Sequence, residues 1–172
     1  MGDVKITGMD EVVSTLKKFA PRVQANGLRA AVYAGSKVIA DEAKRMAHVK
    51  TGTLKRAIIV TRDRKISTGP VQGMKITVRQ GKKYRKVSEK TGKNLSQDAY
   101  YAKWVEFGTK ASPGRKPRKK KSGIWTKGKR AKRGGNAAYP FMSPAFERKK
   151  MAAIDAVKER LKKAVEDASN QG

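Results

Sequence analysis

The sequence predicts an α+β fold: a small antiparallel sheet packed on a long helix and a C-terminal helix, with a long basic loop insertion. Three observations predict it. Residues 24–47 and 143–167 carry apolar or small residues at three- and four-residue steps, the period of a helix with one buried face. Between them, residues 54–61 and 73–80 hold a β-branched run or alternate in polarity, as half-buried strands do. Residues 110–135 show neither period. With 172 residues, 38% of them hydrophobic, the chain can bury one modest core, so residues 1–172 are read as a single domain.

Taken in order, residues 4–8 (VKITG) alternate Val4 and Ile6 with polar neighbours and read as a short strand. Asp10 caps a short helix carrying Val12, Val13, Leu16 and Phe19, which Pro21 stops. The long helix follows over residues 24–47, with Leu28, Ala31, Val32, Gly35, Val38, Ile39, Ala43 and Met46 on one stripe. At 1.5 Å per residue it makes a rod of roughly 36 Å. His48 to Leu54 form a turn signal, and strands at 54–61 and 73–80 make a hairpin with a long polar loop through Gly69 and Pro70. Residues 81–98 read as a polar, mobile loop. Residues 99–109 hold four of the eleven aromatics and must pack against something.

Between Lys110 and Arg133 there are twelve Lys or Arg and no acid, with glycines and prolines interspersed. Such a segment buries too little apolar surface to offset its ordering entropy, so 110–135 is expected to be a flexible insertion. Ser143 then caps the closing helix, with Pro144 at its first position. Phe146, Met151, Ile154, Val157, Leu161 and Val165 form its apolar side, and residues 169–172 fray.

The composition excludes several classes of chemistry. There is no cysteine, which removes disulfides, iron–sulfur clusters and thiol nucleophiles, and the single histidine, His48, removes a multi-histidine metal site. No apolar run approaches the roughly 20 residues of a membrane span, and the first residues lack the pattern of a secretory signal. A soluble protein made in the cytoplasm, with no membrane contact, is expected. Its formal net charge is +28, which points to anionic partners.

Candidate catalytic residues are few. His48 ends the long helix, where a donor or cation meets exposed carbonyls. Asp10 with Glu11, and Asp41 with Glu42, are adjacent in sequence and so point apart on a helix. Glu106, set between Val105 and Phe107, is either a catalytic or metal-binding carboxylate or a structural anion paired with a Lys or Arg; the second reading is preferred. No phosphate-cradling GxxxxGK[ST] occurs. The chain is read as non-enzymatic, with no cofactor and no metal.

The basic run is evidence for binding. Lys116, Arg118, Lys119, Lys120, Lys121, Lys127, Lys129, Arg130, Lys132 and Arg133 can neutralise phosphates while Trp125 stacks. Docking on an acidic protein surface is the equal alternative, and a solvated loop the plainest one.

Four local signals, in this order, resemble one family: the tail-completion or neck components of lambda-like long-tailed bacteriophages. They are Ile6-Thr7-Gly8-Met9-Asp10; the turn Thr51-Gly52-Thr53-Leu54; the run Tyr101, Ala102, Lys103, Trp104, Val105, Glu106, Phe107, Gly108, Thr109; and Tyr139, Pro140, Phe141, Met142, Ser143, Pro144, leading into the last helix. The resemblance covers roughly residues 4–165. It implies a non-catalytic virion protein at the head–tail junction, synthesised in the host cytoplasm. There it would contact head-closure and tail-terminator or tail-tube proteins as part of a homo-oligomeric ring, sixfold by family analogy, around the DNA channel. It also implies that Val105 to Thr109 and Pro140-Phe141 form a hydrophobic floor and a turn, with the Phe107 and Phe141 rings in the core and Glu106 a structural anion. The lysine-rich insertion departs from the usual pattern and directs contacts towards DNA or an acidic neighbouring ring. The competing reading is a stand-alone basic nucleic-acid-binding protein.

Overall fold

The computed structural model describes residues 14, 15, 18, 21–47, 52–68, 71–85, 96–111 and 134–169. In chain order the elements are α1 (Pro21–Met46), α2 (Thr53–Ala57), β1 (Ile58–Arg62), β2 (Met74–Val78), a 3-10 turn (Lys82–Tyr84), α3 (Ala102–Phe107) and α4 (Met142–Ser169). The expected strand at 4–8, the Asp10 cap and the apolar residues of the helix behind it lie outside the described residues. So do His48, Thr51 and residues 170–172. The architecture is α+β, with an antiparallel pair of strands, a long helix and a C-terminal helix.

Two compact units are formed, one from Met1–Tyr100 with Phe141–Gly172, the other from Tyr101–Pro140. In the first unit α1 begins three residues before the predicted start. Pro21, expected to end the preceding helix, opens the first turn of α1, where its missing N–H needs no intrahelical partner. At 26 residues the helix is about 39 Å long.

The two long helices pack antiparallel: Ala31 clusters with Leu161, Gly35 meets Ala153 and Val157, and Glu42 approaches Arg148. Small side chains dominate the buried line, with Ala31, Gly35, Ala40 and Ala43 on α1, Ala47 just beyond its end, and Ala145 and Ala153 on α4. This departs from the expected apolar side of α4. Phe146 and Met151 are 50% and 57% exposed, because the alanines and Leu161 occupy the line that faces inward. Helix α4 also starts at Met142, so Pro144 is its third residue and Ser143 is not its cap. Pro144 is still within the first turn, whose N–H groups have no partner in any case. The helix continues through Ser169, where fraying was expected.

The hairpin forms as predicted, but its first strand is shorter. Residues 53–57 are helical, since Leu, Lys, Arg and Ala favour helix and the β-branched run starts only at Ile58. Gly52 turns the chain in the left-handed region at φ 71°, and the Arg56 N–H donates to its carbonyl at 3.1 Å. In the antiparallel register Ile58 faces Val78, Val60 faces Ile76 and Arg62 faces Met74. These share one side of the sheet, while Ile59, Thr61, Lys75 and Thr77 share the other. Ile58 is fully buried, and both strands pack against α1.

Candidate functional site

The aromatic run that carries the family resemblance lies in the second unit. Tyr101 precedes α3 and its carbonyl accepts the Trp104 and Val105 N–H groups at 2.9 and 3.1 Å. A six-residue helix divides its side chains between inside and outside, and here Ala102 and Glu106 point inward. Trp104 is 52% exposed and Phe107 72% exposed. The expectation that Phe107 is core is therefore corrected. It is next to Glu106 in sequence, so the turn that buries the carboxylate carries the ring outward, about 100° around the helix.

Gly108 ends α3 at φ 69°, with no room for a β-carbon: one would lie 2.7 Å from the Asn136 carbonyl oxygen. The chain then pairs with the returning segment. The Thr109 N–H donates to the Asn136 carbonyl at 3.0 Å, the Asn136 N–H donates to Thr109 Oγ1 at 3.0 Å, and the Tyr139 N–H donates to the Val105 carbonyl at 2.8 Å. Thus the two ends of the basic insertion, at 109 and 136, are tied together. Its candidate contacts Lys116, Arg118, Lys119, Lys120, Lys121, Trp125, Lys127, Lys129, Arg130, Lys132 and Arg133 lie outside the described residues. Tyr139 and Pro140 are exposed. Phe141, in the first unit, is 1% exposed and is among its largest buried side chains. Leu54, beyond the Gly52 turn, is 3% exposed.

Among the described residues three carboxylates are buried: Glu42, Asp98 and Glu106. Glu42 accepts from Arg45 Nη2 at 2.6 Å and Nε at 3.0 Å, with Arg148 at 4.0 Å. The Arg45 hydrogen bond, followed by the charges of Arg45, Lys149 and Arg148, holds its carboxyl below the usual glutamate range. Asp98 accepts from Arg85 Nε at 2.6 Å and from the Gly81 N–H at 2.8 Å. Those two bonds, in that order, hold its carboxyl below the usual aspartate range. A carboxylate kept charged by structural partners fixes a fold; it is not poised to take a proton near neutrality. Among the described residues no group of three or more His, Cys, Asp and Glu is placed to hold a metal ion.

Between α1 and α4 lies a groove of about 540 Å³, lined mainly by apolar residues including Val32, Ile39, Phe146, Ile154 and Val157. Its charged rim residues, Glu147 and Lys150, pair with each other at 2.7 Å. No catalytic arrangement follows from it. No helix among the described residues is long and apolar enough to cross a membrane.

One cluster escaped the sequence reading, which placed the charge in residues 110–135. At the open end of the hairpin, α2 and the 3-10 turn each bond to residues 96–98. Arg56 Nη2 reaches the Ser96 carbonyl at 3.5 Å, the Gln97 N–H donates to the Tyr84 carbonyl at 2.8 Å, and Arg79 hydrogen-bonds the Gln97 side chain. The Tyr84 ring lies beneath Lys83 Nζ at 4.9 Å and Arg79 Cζ at 5.5 Å. The signal was present: residues 52–85 contain ten Lys or Arg and one acid, Asp63.

No curated protein and no solved structure matches the chain. A family model does, over residues 10–108: "Bacteriophage HK97-gp10, putative tail-component". The match takes in α1, the hairpin and α3, more than half of the chain. A tail component is a structural protein of the virion that works in contact with other tail and head proteins. The chain belongs to the HK97-gp10-like family of bacteriophage tail components.

Proposed function

We propose that this tail component acts at the neck, completing the tail and joining it to the head as part of a homo-oligomeric ring around the DNA channel. Head-closure and tail-terminator or tail-tube proteins are its neighbours, and sixfold symmetry is the expected arrangement. The chain makes and breaks no bonds. Its role is attachment, with the lysine-rich segment 110–135 meeting DNA or an acidic neighbouring ring.

One observation carries this reading. The family match ends at residue 108, and the basic segment starts directly beyond it, between two ends bridged at Thr109 and Asn136. The family scaffold thus continues into a cationic segment whose two flanks are bridged, and that segment is available for attachment. The buried carboxylates support it too, since Glu42 and Asp98 are engaged by arginines and serve structure.

Electron microscopy of particles produced without this chain tests the proposal. Heads and tails that fail to join, or tails of aberrant length, are expected; normal joined virions would overturn it. The competing reading, a free nucleic-acid-binding factor, requires the protein to be absent from purified particles.

A further inference from the structure

We propose that the open end of the hairpin, which carries Lys55 and Arg56 on α2, Arg79 just after β2, and Lys82 and Lys83 in the 3-10 turn, is a second polyanion-binding surface, one that takes the sugar–phosphate backbone of duplex DNA. It is distinct in sequence from segment 110–135 and goes beyond the assembly role.

The charge of the first unit is segregated. Helix α4 carries seven Lys or Arg against five acids, and pairs such as Lys150 with Glu147 cancel locally. Residues 52–85 carry ten against one. Among the described residues, the acids Asp98 and Asp63 do not offset them, and Glu89 lies outside the described residues. Asp98 is buried and committed to Arg85 and Gly81, and Asp63, at the other end of the hairpin, accepts the Lys65 N–H. Lys82, Lys83 and Arg56 are exposed.

The backbone that carries Arg79, Lys82 and Lys83 is also held in place. The Asp98 bonds, with Gln97 N–H to Tyr84 carbonyl at 2.8 Å and Ala99 N–H to Arg79 carbonyl at 3.0 Å, fix the 3-10 turn against the end of β2. Tyr84 props Lys83 and Arg79. Charges on such a frame lose little freedom on docking, so more of their attraction to phosphate is retained as affinity.

The chemistry favours a phosphate row over an acidic protein. A protein interface needs a desolvated apolar centre, yet the exposed aliphatic residues of the hairpin, Ile66 and Val71, lie at its loop end. Tyr84, whose ring meets Arg79 and Lys83, ends in a hydroxyl. Spaced lysines and arginines suffice for a DNA backbone and read no sequence.

The test measures anisotropy of a labelled mixed-sequence DNA duplex with the full chain across a salt series. Three proteins are compared with the parent: K82Q/K83Q, the quadruple K55Q/R56Q/K82Q/K83Q, and K119S/K120S/K121S in the insertion. With each phosphate contact contributing about 0.9 to the slope of log affinity against log salt, the double variant should be shallower by about 2 and the quadruple by about 3–4. At about 0.1 M salt the quadruple should bind more than tenfold more weakly. Substituting Lys82 and Lys83 leaves the backbone bond from the Arg85 N–H to the Lys82 carbonyl in place, so the double variant keeps the result interpretable if the quadruple misfolds. Slopes and affinities equal to the parent in both would overturn the proposal. So would unchanged DNA binding accompanied by lost binding to poly-glutamate, which would make the face a protein-docking one. Because the assay uses free protein, its outcome is independent of whether particles lacking the chain still join.

Discussion

Gly35 of α1 lies against the main chain of Ala153 in α4 so closely that a β-carbon at residue 35 would stand 2.7 Å from the Ala153 carbonyl oxygen. The same atom would stand 2.6 Å from Val157 Cγ2. A side chain can rotate away, but a helix carbonyl cannot. The separation of the two long helices is therefore set at this crossing, and the buried alanines on either side fit the spacing it imposes.

Gly35→Ala should destabilise the protein. Replacing Gly by Ala inside a helix gains about 1 kcal/mol, but overpacking a tight contact costs about 1–3 kcal/mol. A net loss of about 1 kcal/mol is expected in chemical denaturation, and a larger one for Gly35→Val. A Gly35→Ala variant more stable than the parent would show that the helices separate freely.

Phe141 and Phe107 should behave oppositely, although both were expected in the core. Phe141→Ala removes a ring that is 1% exposed and should cost about 3–5 kcal/mol. Phe107→Ala removes one that is 72% exposed and should change stability by no more than about 0.5 kcal/mol. Thermal melts of the two variants side by side give the comparison.

The Asp98 clamp should be visible in the pH dependence of stability. Its folded carboxyl titrates below the ordinary aspartate value, so the unfolded chain binds its proton first as pH falls. The stabilisation is full above about pH 4 and is lost below that, as pH descends through the folded value. Asp98→Asn should melt lower than the parent at neutral pH, with the gap narrowing on acidification. A gap that stays constant down to the acid transition would show that the charge of Asp98 contributes nothing.

Gly108 is the point at which the second unit depends on backbone conformation. At φ 69° a side chain is disfavoured, and a β-carbon would also meet the Asn136 carbonyl at 2.7 Å and the Ala138 nitrogen at 3.0 Å. Gly108→Ala should cost about 1–3 kcal/mol locally. Hydrogen exchange is the sharpest readout: the Thr109 amide, which donates to Asn136, should lose protection while amides within α1 keep theirs.

What was legible before the structure follows from periodicity. The stripe from Leu28 to Met46 and the alternation around Ile76 identify α1 and β2 because each is a repeat within one segment. Leu54 to Ala57 misled, since a short helix leading into a strand has no period of its own. Phe107 misled for a related reason: in a helix of six residues, hydrophobicity does not say which side faces inward. The candidate site fared less evenly. The basic run and the aromatic motif were plain in composition and order, whereas Lys55, Arg56, Arg79, Lys82 and Lys83 were spread over α2, the end of the hairpin and the 3-10 turn and overlooked.

The sequence by itself determined the α+β class, the two long helices, the hairpin, the lack of thiol and multi-histidine chemistry, and a strongly cationic surface. Only the tertiary structure decided that Gly35 touches Ala153, that Asp98 reaches back to Gly81 and Arg85, that Thr109 bridges to Asn136, and that Phe107 faces outward. The physical reason is that composition and period describe what a segment can bury, while its partner is chosen by packing and hydrogen bonding between residues far apart in the chain.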